Sequence, residues 1–345
     1  MKKLGNLGIA IFIFLQTGIF AQNRQLLIYT WEGMFPQEII DGFTKETGVT
    51  VKFEHFGDNE EMLEQLRFTR GGEFDIIISD DYITETAIAE GLVQKLDKSL
   101  LTNFNNINPF CQYQFYDPRD EYTVPYGAGV QTIVYDPAKV NFEIRGIADL
   151  WDDSLKNRVG ITGNPRVING MVLKTLGKDL NEEDIMDIRA AGKRLIALIP
   201  NIRVIKDMGL EDELVSGNIS AALMYTDQVM KSKIKKPDLK VVFPREGVGF
   251  GIMPAFIPSR APNAAAAHRF LNYILDPRRG ARCFEYMGYY CTFSASEQYI
   301  DPKLREFLIL PKLGNFEMVW NLSEEAEDEH VRVWQEFTAA QERRR

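Results

Sequence analysis

Residues 26–50 read LLIYTWEGMFPQEIIDGFTKETGVT. A short apolar run, Leu26–Tyr29, has the length and composition of a strand. It gives way to a loop carrying Trp31 and Glu32. A helix is expected from Pro36, because proline is tolerated in a first helical turn. That helix presents Ile39, Ile40 and Phe43 on one face, with Phe35 just ahead of it. Lys45-Glu46-Thr47-Gly48 ends it, and a second strand starts at Val49. The unit is strand–helix–strand, with an aromatic and a carboxylate where the first strand ends. In open α/β sheets, ligands bind outside the carboxyl ends of the strands. An α/β chain with such a loop points to capture of a solute rather than to chemistry.

Outward from this unit, the N-terminal side reads as an export leader over residues 1–21. Lys2 and Lys3 supply its positive start, and Leu7 to Phe20 its apolar stretch. Ile19-Phe20-Ala21 supplies the cleavage site. Gln16 and Thr17 interrupt the apolar stretch, which falls short of the roughly 20 residues of a membrane-spanning helix. No cysteine lies near the cut to carry a lipid, so the expected location is the periplasm. The formal charge of −9 becomes more negative once the two leader lysines are removed. Such a balance argues against nucleic acid or an anionic membrane as partner. Three cysteines, Cys111, Cys283 and Cys291, are too few for a disulfide scaffold. Cys283 and Cys291 are read either as a pair or as free buried thiols.

The strand–helix alternation continues along the chain. Val49–His55 reads as a strand, Asn59–Arg67 as a helix, and Phe74–Ile78 as the continuous apolar kind of strand found in parallel sheets. Ser79-Asp80-Asp81-Tyr82 closes that strand, and a helix over Asp81–Ala89 follows. Leu100–Pro118 is polar and loop-like, and Val130–Tyr135 is another strand. A second rhythm then runs through strands at Val159–Thr162, Val204–Lys206, Ser220–Tyr225 and Lys240–Phe243, with a connecting strand at Gly249–Ile257. The terminal helix carries Val331, Trp334 and Phe337 as its expected buried stripe, and Trp151 and Trp320 are also expected in the core. The expected fold class is α/β, two lobes that are each a doubly wound sheet, between which the chain crosses more than once. A first lobe over 22–135 with about 254–310 and a second over 136–253 with about 311–345 are expected.

Tyr29-Thr30-Trp31, Phe43 to Gly48, Phe74-Asp75 with its isoleucine run and Tyr82, Glu90 to Asp97, Leu101 to Phe104, Val124-Pro125-Tyr126, Ala148 to Trp151, Phe243 to Gly247 and Met287-Gly288-Tyr289 occur in a telling order. On these stretches the chain resembles the spermidine/putrescine-binding proteins of bacterial ABC transporters, over nearly all of its mature length. The resemblance implies a two-lobed clamshell joined by crossing strands, a monomeric receptor that holds a linear polyammonium between closing lobes and delivers it to a membrane ABC permease. It implies no cofactor and no metal. Aromatic faces attract ammonium groups by about 0.5–2 kcal/mol each, and carboxylates pair with the ammonium ends. Position by position, the implied aromatics are Trp31, Tyr82, Tyr225 and Tyr289, and Asn321 stands where an amine-bonding glutamine is usual. The family's carboxylates and a box tryptophan are replaced by Asn164, Val167, Gly251 and Met253. Glu32, Asp80, Asp81 and Asp227 follow strand ends nearby and are the candidate replacements. Asp81 and Asp227 also read as helix-capping residues.

Other constellations are weaker. The three histidines, His55, His268 and His330, fall in different elements and read as surface or satisfied core positions. Tyr289-Tyr290 matches a pairing that binds ferric iron in another periplasmic family, and hard oxygen ligands suit that ion. No GxSxG, P-loop, HExxH or strand-borne GxGxxG is present, so the chain reads as a binding protein rather than an enzyme. Alternatives to a polyamine are another organic cation, an amino-acid-like compound or ferric iron, or a sensor that signals to a membrane partner through the same clamshell.

Overall fold

The computed structural model describes residues 25–312 and 314–344. The expected leader lies outside the described residues. Ten strands form one sheet among the described residues: β1 (Gln25–Tyr29), β2 (Thr50–Glu54), β3 (Ile76–Ile78), β4 (Thr123–Tyr135), β5 (Val159–Ile161), β6 (Ile202–Ile205), β7 (Ala221–Tyr225), β8 (Lys240–Val242), β9 (Val248–Phe256) and β10 (Phe316–Met318). Their order is β2-β1-β3-β9-β4-β7-β5-β6, with β10 on β9 and β8 on β4. β1 pairs in parallel with β2 and β3, and β5 with β6 and β7. Two parallel units are therefore joined through the antiparallel strands β4 and β9.

β4 is the clearest crossing strand. Thr123–Val130 pairs with β9, while Gln131–Tyr135 pairs with β7. Within the β9-paired part, the register shifts between Pro125 and Ala128. Gly127 sits there at φ 115°, a conformation that side-chain-bearing residues avoid. A Cβ at Gly127 would also stand 2.8 Å from Met253 Cε. Such a bulge bends a strand locally, here at the junction of the lobes.

Each parallel unit has its own core. Leu26, Ile28, Ile76 and Val130 share one cluster with Phe250, Phe270, Phe284 and Phe293. Ile133, Val159, Ile161, Met171, Leu195 and Leu223 form another with Phe337. The opening unit behaves as its residues dictate. The helix Gln37–Thr47 buries Ile39, Ile40 and Phe43 and ends on Gly48 at φ 72°. All three cysteines are buried and free, so Cys283 and Cys291 are not paired. No helix among the described residues is long and apolar enough to cross a membrane.

Three expectations need correction. Trp320 is 47% exposed, lying edge-on to Phe115 at 6.2 Å. Its neighbourhood is a short edge strand and a connector rather than a layer between two elements. The terminal helix Glu324–Glu342 buries Ala326, His330, Val333 and Phe337, and Val331 is exposed. Successive helical residues differ by about 100°, so a face centred on His330 and Val333 turns Val331 outward. His330 is fully buried, yet neither ring nitrogen has a hydrogen-bond partner. Burial pushes its pKa down to about 4, which keeps the ring neutral. His268, by contrast, is satisfied: Nε2 accepts the Asp97 N–H at 2.9 Å and Nδ1 donates to the Ala264 carbonyl at 2.8 Å.

Candidate functional site

Carboxyl ends of parallel strands from both lobes converge. β1 ends at Thr30-Trp31, β3 at Ser79-Asp80, β5 at Thr162-Gly163-Asn164, β6 at Lys206-Asp207 and β7 at Tyr225. This is where open α/β sheets hold ligands. Tyr82 follows β3 yet packs against the second lobe's core as well as its own. The two lobes therefore touch through this ring.

Asp80 lies at the centre of the polar groups. It is half-buried, and its Oδ2 accepts Asn59 Nδ2 at 2.8 Å. The same amide donates to the Tyr82 hydroxyl at 3.0 Å. Burial pushes the Asp80 carboxyl up to about 6; the Asn59 hydrogen bond opposes the shift and Glu60 adds to it. No Lys or Arg among the described residues pairs with Asp80. Its charge helps raise the pKa of three tyrosines, Tyr82, Tyr225 and Tyr289, in each of which burial is the first cause.

Tyr289 and Tyr225 are half-buried and within electrostatic reach of each other and of Asp80. Gly129 on β4 has no side chain to block the Tyr289 ring, whose Cδ1 would lie 3.1 Å from a Cβ there. Asp227 adds, after burial, to raising the Tyr289 phenol, and its own carboxyl is raised by burial. It is also paired with Lys231 at 2.8 Å, so its charge is partly met within the protein. It is not the helix cap, a position taken by Tyr225. Trp31 is half-buried, edge-on to Phe56 at 4.8 Å, and packs against first-lobe side chains.

The remaining sequence candidates are placed differently. Asp81 is buried and Asp80, not Asp81, is the capping residue of the helix Asp81–Ala89. Asp81 Oδ2 accepts the Ile252 N–H at 2.9 Å, and Oδ1 the Tyr82 N–H at 2.9 Å. Glu32 is exposed in the turn after β1 and makes no hydrogen bond or ion pair among the described residues. Asn321 sits on the rim, donating to the Tyr82 carbonyl and to Glu85 Oε2, each at 2.8 Å. Asn164 caps the helix Pro165–Thr175 by accepting the Val167 N–H at 3.0 Å. Arg166 beyond it is spent on the Leu180 carbonyl and Asn181, at 2.9 and 2.7 Å, and on Glu327. Tyr290 is packed into the first core while Tyr289 is half-buried, so the adjacent tyrosines are differently placed. No group of three or more His, Cys, Asp or Glu among the described residues is placed to hold a metal ion.

Sequence reasoning missed Asp207. Its Oδ1 accepts the Gly163 N–H at 2.8 Å, and its charge contributes, after burial, to raising the Tyr225 phenol. The available signal was its position just past a strand, the same position that singled out Asp80.

Residues 38–305 match the family described as bacterial extracellular solute-binding protein. The chain belongs to that family. Its lobes, crossing strands and cleft are those of a periplasmic binding protein. The chain is 30% identical over 289 residues to the spermidine/putrescine-binding periplasmic protein of Salmonella typhimurium, covering 82% of each. It is 28% identical over 306 residues to the putrescine-binding periplasmic protein PotF of Escherichia coli, covering 83% of this chain and 82% of that one. Its structure is similar, at a TM-score of 0.80 and 25% identity, to the spermidine/putrescine ABC transporter substrate-binding protein PotD of Streptococcus pneumoniae, covering 92% of this chain and 99% of that one.

Proposed function

We propose that this protein is a periplasmic receptor that captures a polyamine, putrescine or spermidine, between its lobes and presents it to a membrane ABC permease. The observation that carries this reading is Asp80. A half-buried carboxylate whose charge reaches Tyr82, Tyr225 and Tyr289, and which is held only by the neutral Asn59, lacks a cation of the protein's own among the described residues. Enclosing a charge without a partner is costly. A ligand ammonium supplies that partner, and the tyrosine faces accept the same ammonium groups and their methylene chain. Relatives named for spermidine and putrescine support the same choice. The closing bodies are the lobes 22–135 with about 254–310 and 136–253 with about 311–345. Closure follows from contacts that the ligand makes with both at once.

The test is a thermal-shift screen of putrescine, spermidine, amino acids and Fe(III). A ligand at 100 times its dissociation constant stabilises the folded state by about 2.7 kcal/mol. Putrescine or spermidine should raise the unfolding temperature, while amino acids and Fe(III) leave it in place. A shift with an amino acid or Fe(III) alone would overturn the polyamine reading and keep the receptor.

A further inference from the structure

We propose that Asp207 is the second-lobe anchor for one ammonium end of the ligand, with Asp80 of the first lobe anchoring the other. The inference rests on the polyamine reading above. Asp207 follows β6 and is fixed from two neighbouring loops. Its Oδ1 accepts the Gly163 N–H at 2.8 Å, and its backbone carbonyl accepts Gln228 Nε2. A Cβ at Gly163 would stand 3.0 Å from Oδ2, so the glycine permits this close approach of carboxylate and loop. The carboxylate is therefore held in place while Oδ2 stays free to accept.

No cation among the described residues neutralises Asp207. The adjacent Lys206 is turned to Glu213 at 2.7 Å. Gln228, only 2% exposed, donates to Asp207 through its amide nitrogen, and its Oε1 has no partner. Asp207 is exposed, so its fixed Oδ2 is open to a donor from the cleft, and the buried Gln228 Oε1 beside the same loop has no protein donor. An ammonium group brings three N–H donors and a positive charge. A hydroxyl or an anion would satisfy these acceptors less well or repel them. Asp207 and Asp80 each add, after burial, to raising the Tyr225 phenol, so both carboxylates lie within electrostatic reach of that ring. One carboxylate from each lobe then gives a linear diamine a reason to draw the lobes together, and the span between them sets the preferred chain length.

The experiment is calorimetric titration of wild type, Asp207→Asn and Asp207→Glu. The ligands are n-butylamine and the diamines from 1,3-diaminopropane through putrescine to cadaverine. Asparagine keeps the acceptor for the Gly163 N–H. It should lower putrescine affinity by about 10- to 100-fold, as for loss of a hydrogen bond to a charged group. n-Butylamine, with one ammonium, should lose far less, so the preference for the diamine collapses. The longer Glu side chain should shift the preference toward a shorter diamine. An Asp207→Asn protein that binds putrescine as wild type does would remove Asp207 and leave the polyamine reading intact. An unchanged length preference in Asp207→Glu decides against the anchor even if the Asn variant fails to fold. Wild type that binds no diamine overturns both readings together.

Discussion

Asp81 Oδ2 accepts the backbone N–H of Ile252 at 2.9 Å, joining the first residue of a first-lobe helix to the crossing strand β9. Burial holds the Asp81 carboxyl well above its usual range, and the Ile252 N–H opposes that shift. This acceptor serves the junction between the lobes. Asp81→Ala leaves the buried Ile252 N–H unsatisfied, at a cost of about 1–3 kcal/mol. Urea unfolding should show that loss, and the protein that remains folded should keep more of its polyamine affinity than Asp80→Asn does.

On the polyamine reading, Asp80 should make binding pH-dependent. Its folded-state pKa of about 6 lies above the usual 3.8. Between these values the folded state keeps a proton that the unfolded state has released. This group's contribution to stability therefore falls as pH rises through that window. A cationic ligand needs the ionised form, so affinity should rise as pH climbs through about 6 and then level off. Asp227, Glu60 and Glu327 are raised by burial and act in the same sense. Titrations of putrescine at pH 5, 6 and 7 check this. Asp80→Asn should flatten the profile, and a wild-type affinity constant across the range would remove Asp80 from the ligand.

The aromatic surface is expected to act through its π faces rather than its hydroxyls. Tyr225→Phe keeps the face and should bind nearly as wild type. Tyr225→Leu removes it and should lose about 0.5–2 kcal/mol of binding, the range of a cation–π contact. Competition titration against a fluorescent polyamine distinguishes the two variants. Equal losses in both would assign the effect to the hydroxyl.

Asn321 donates to the Tyr82 carbonyl and to Glu85, two bonds that would help hold a closed cleft. Each such bond contributes about 0.5–1.5 kcal/mol, and both are exposed. Asn321→Ala should speed ligand release by several-fold with little change in thermal stability. Stopped-flow dissociation measures the first and calorimetry the second; an unchanged release rate would reduce Asn321 to a surface contact.

Much of the fold was legible because its signals are local. The helix Asp81–Ala89 and the run Gln37–Thr47 ending on Gly48 carry their own start, face and stop. β4 was legible only at Val130–Tyr135, because Pro125, Gly127 and Gly129 are poor strand residues and their pairing with β9 is distant in sequence. The Asp81–Ile252 bond spans 171 residues, so no local pattern could separate a junction acceptor from a free carboxylate. Tyr225 and Tyr289 were nominated by resemblance rather than by any spacing. Asp207 sits in Lys206-Asp207-Met208-Gly209, which reads as an ordinary turn. Only the fold brings it beside Gly163 and Tyr225.

Calorimetric titration of putrescine and spermidine into the wild-type protein near pH 7.5 and moderate salt tests the central claim most directly. The expected result is saturable binding of at least one of them, one ligand per chain, weakened in Asp80→Asn. Absence of binding for both amines at millimolar concentration, in protein that is folded by circular dichroism, would contradict it.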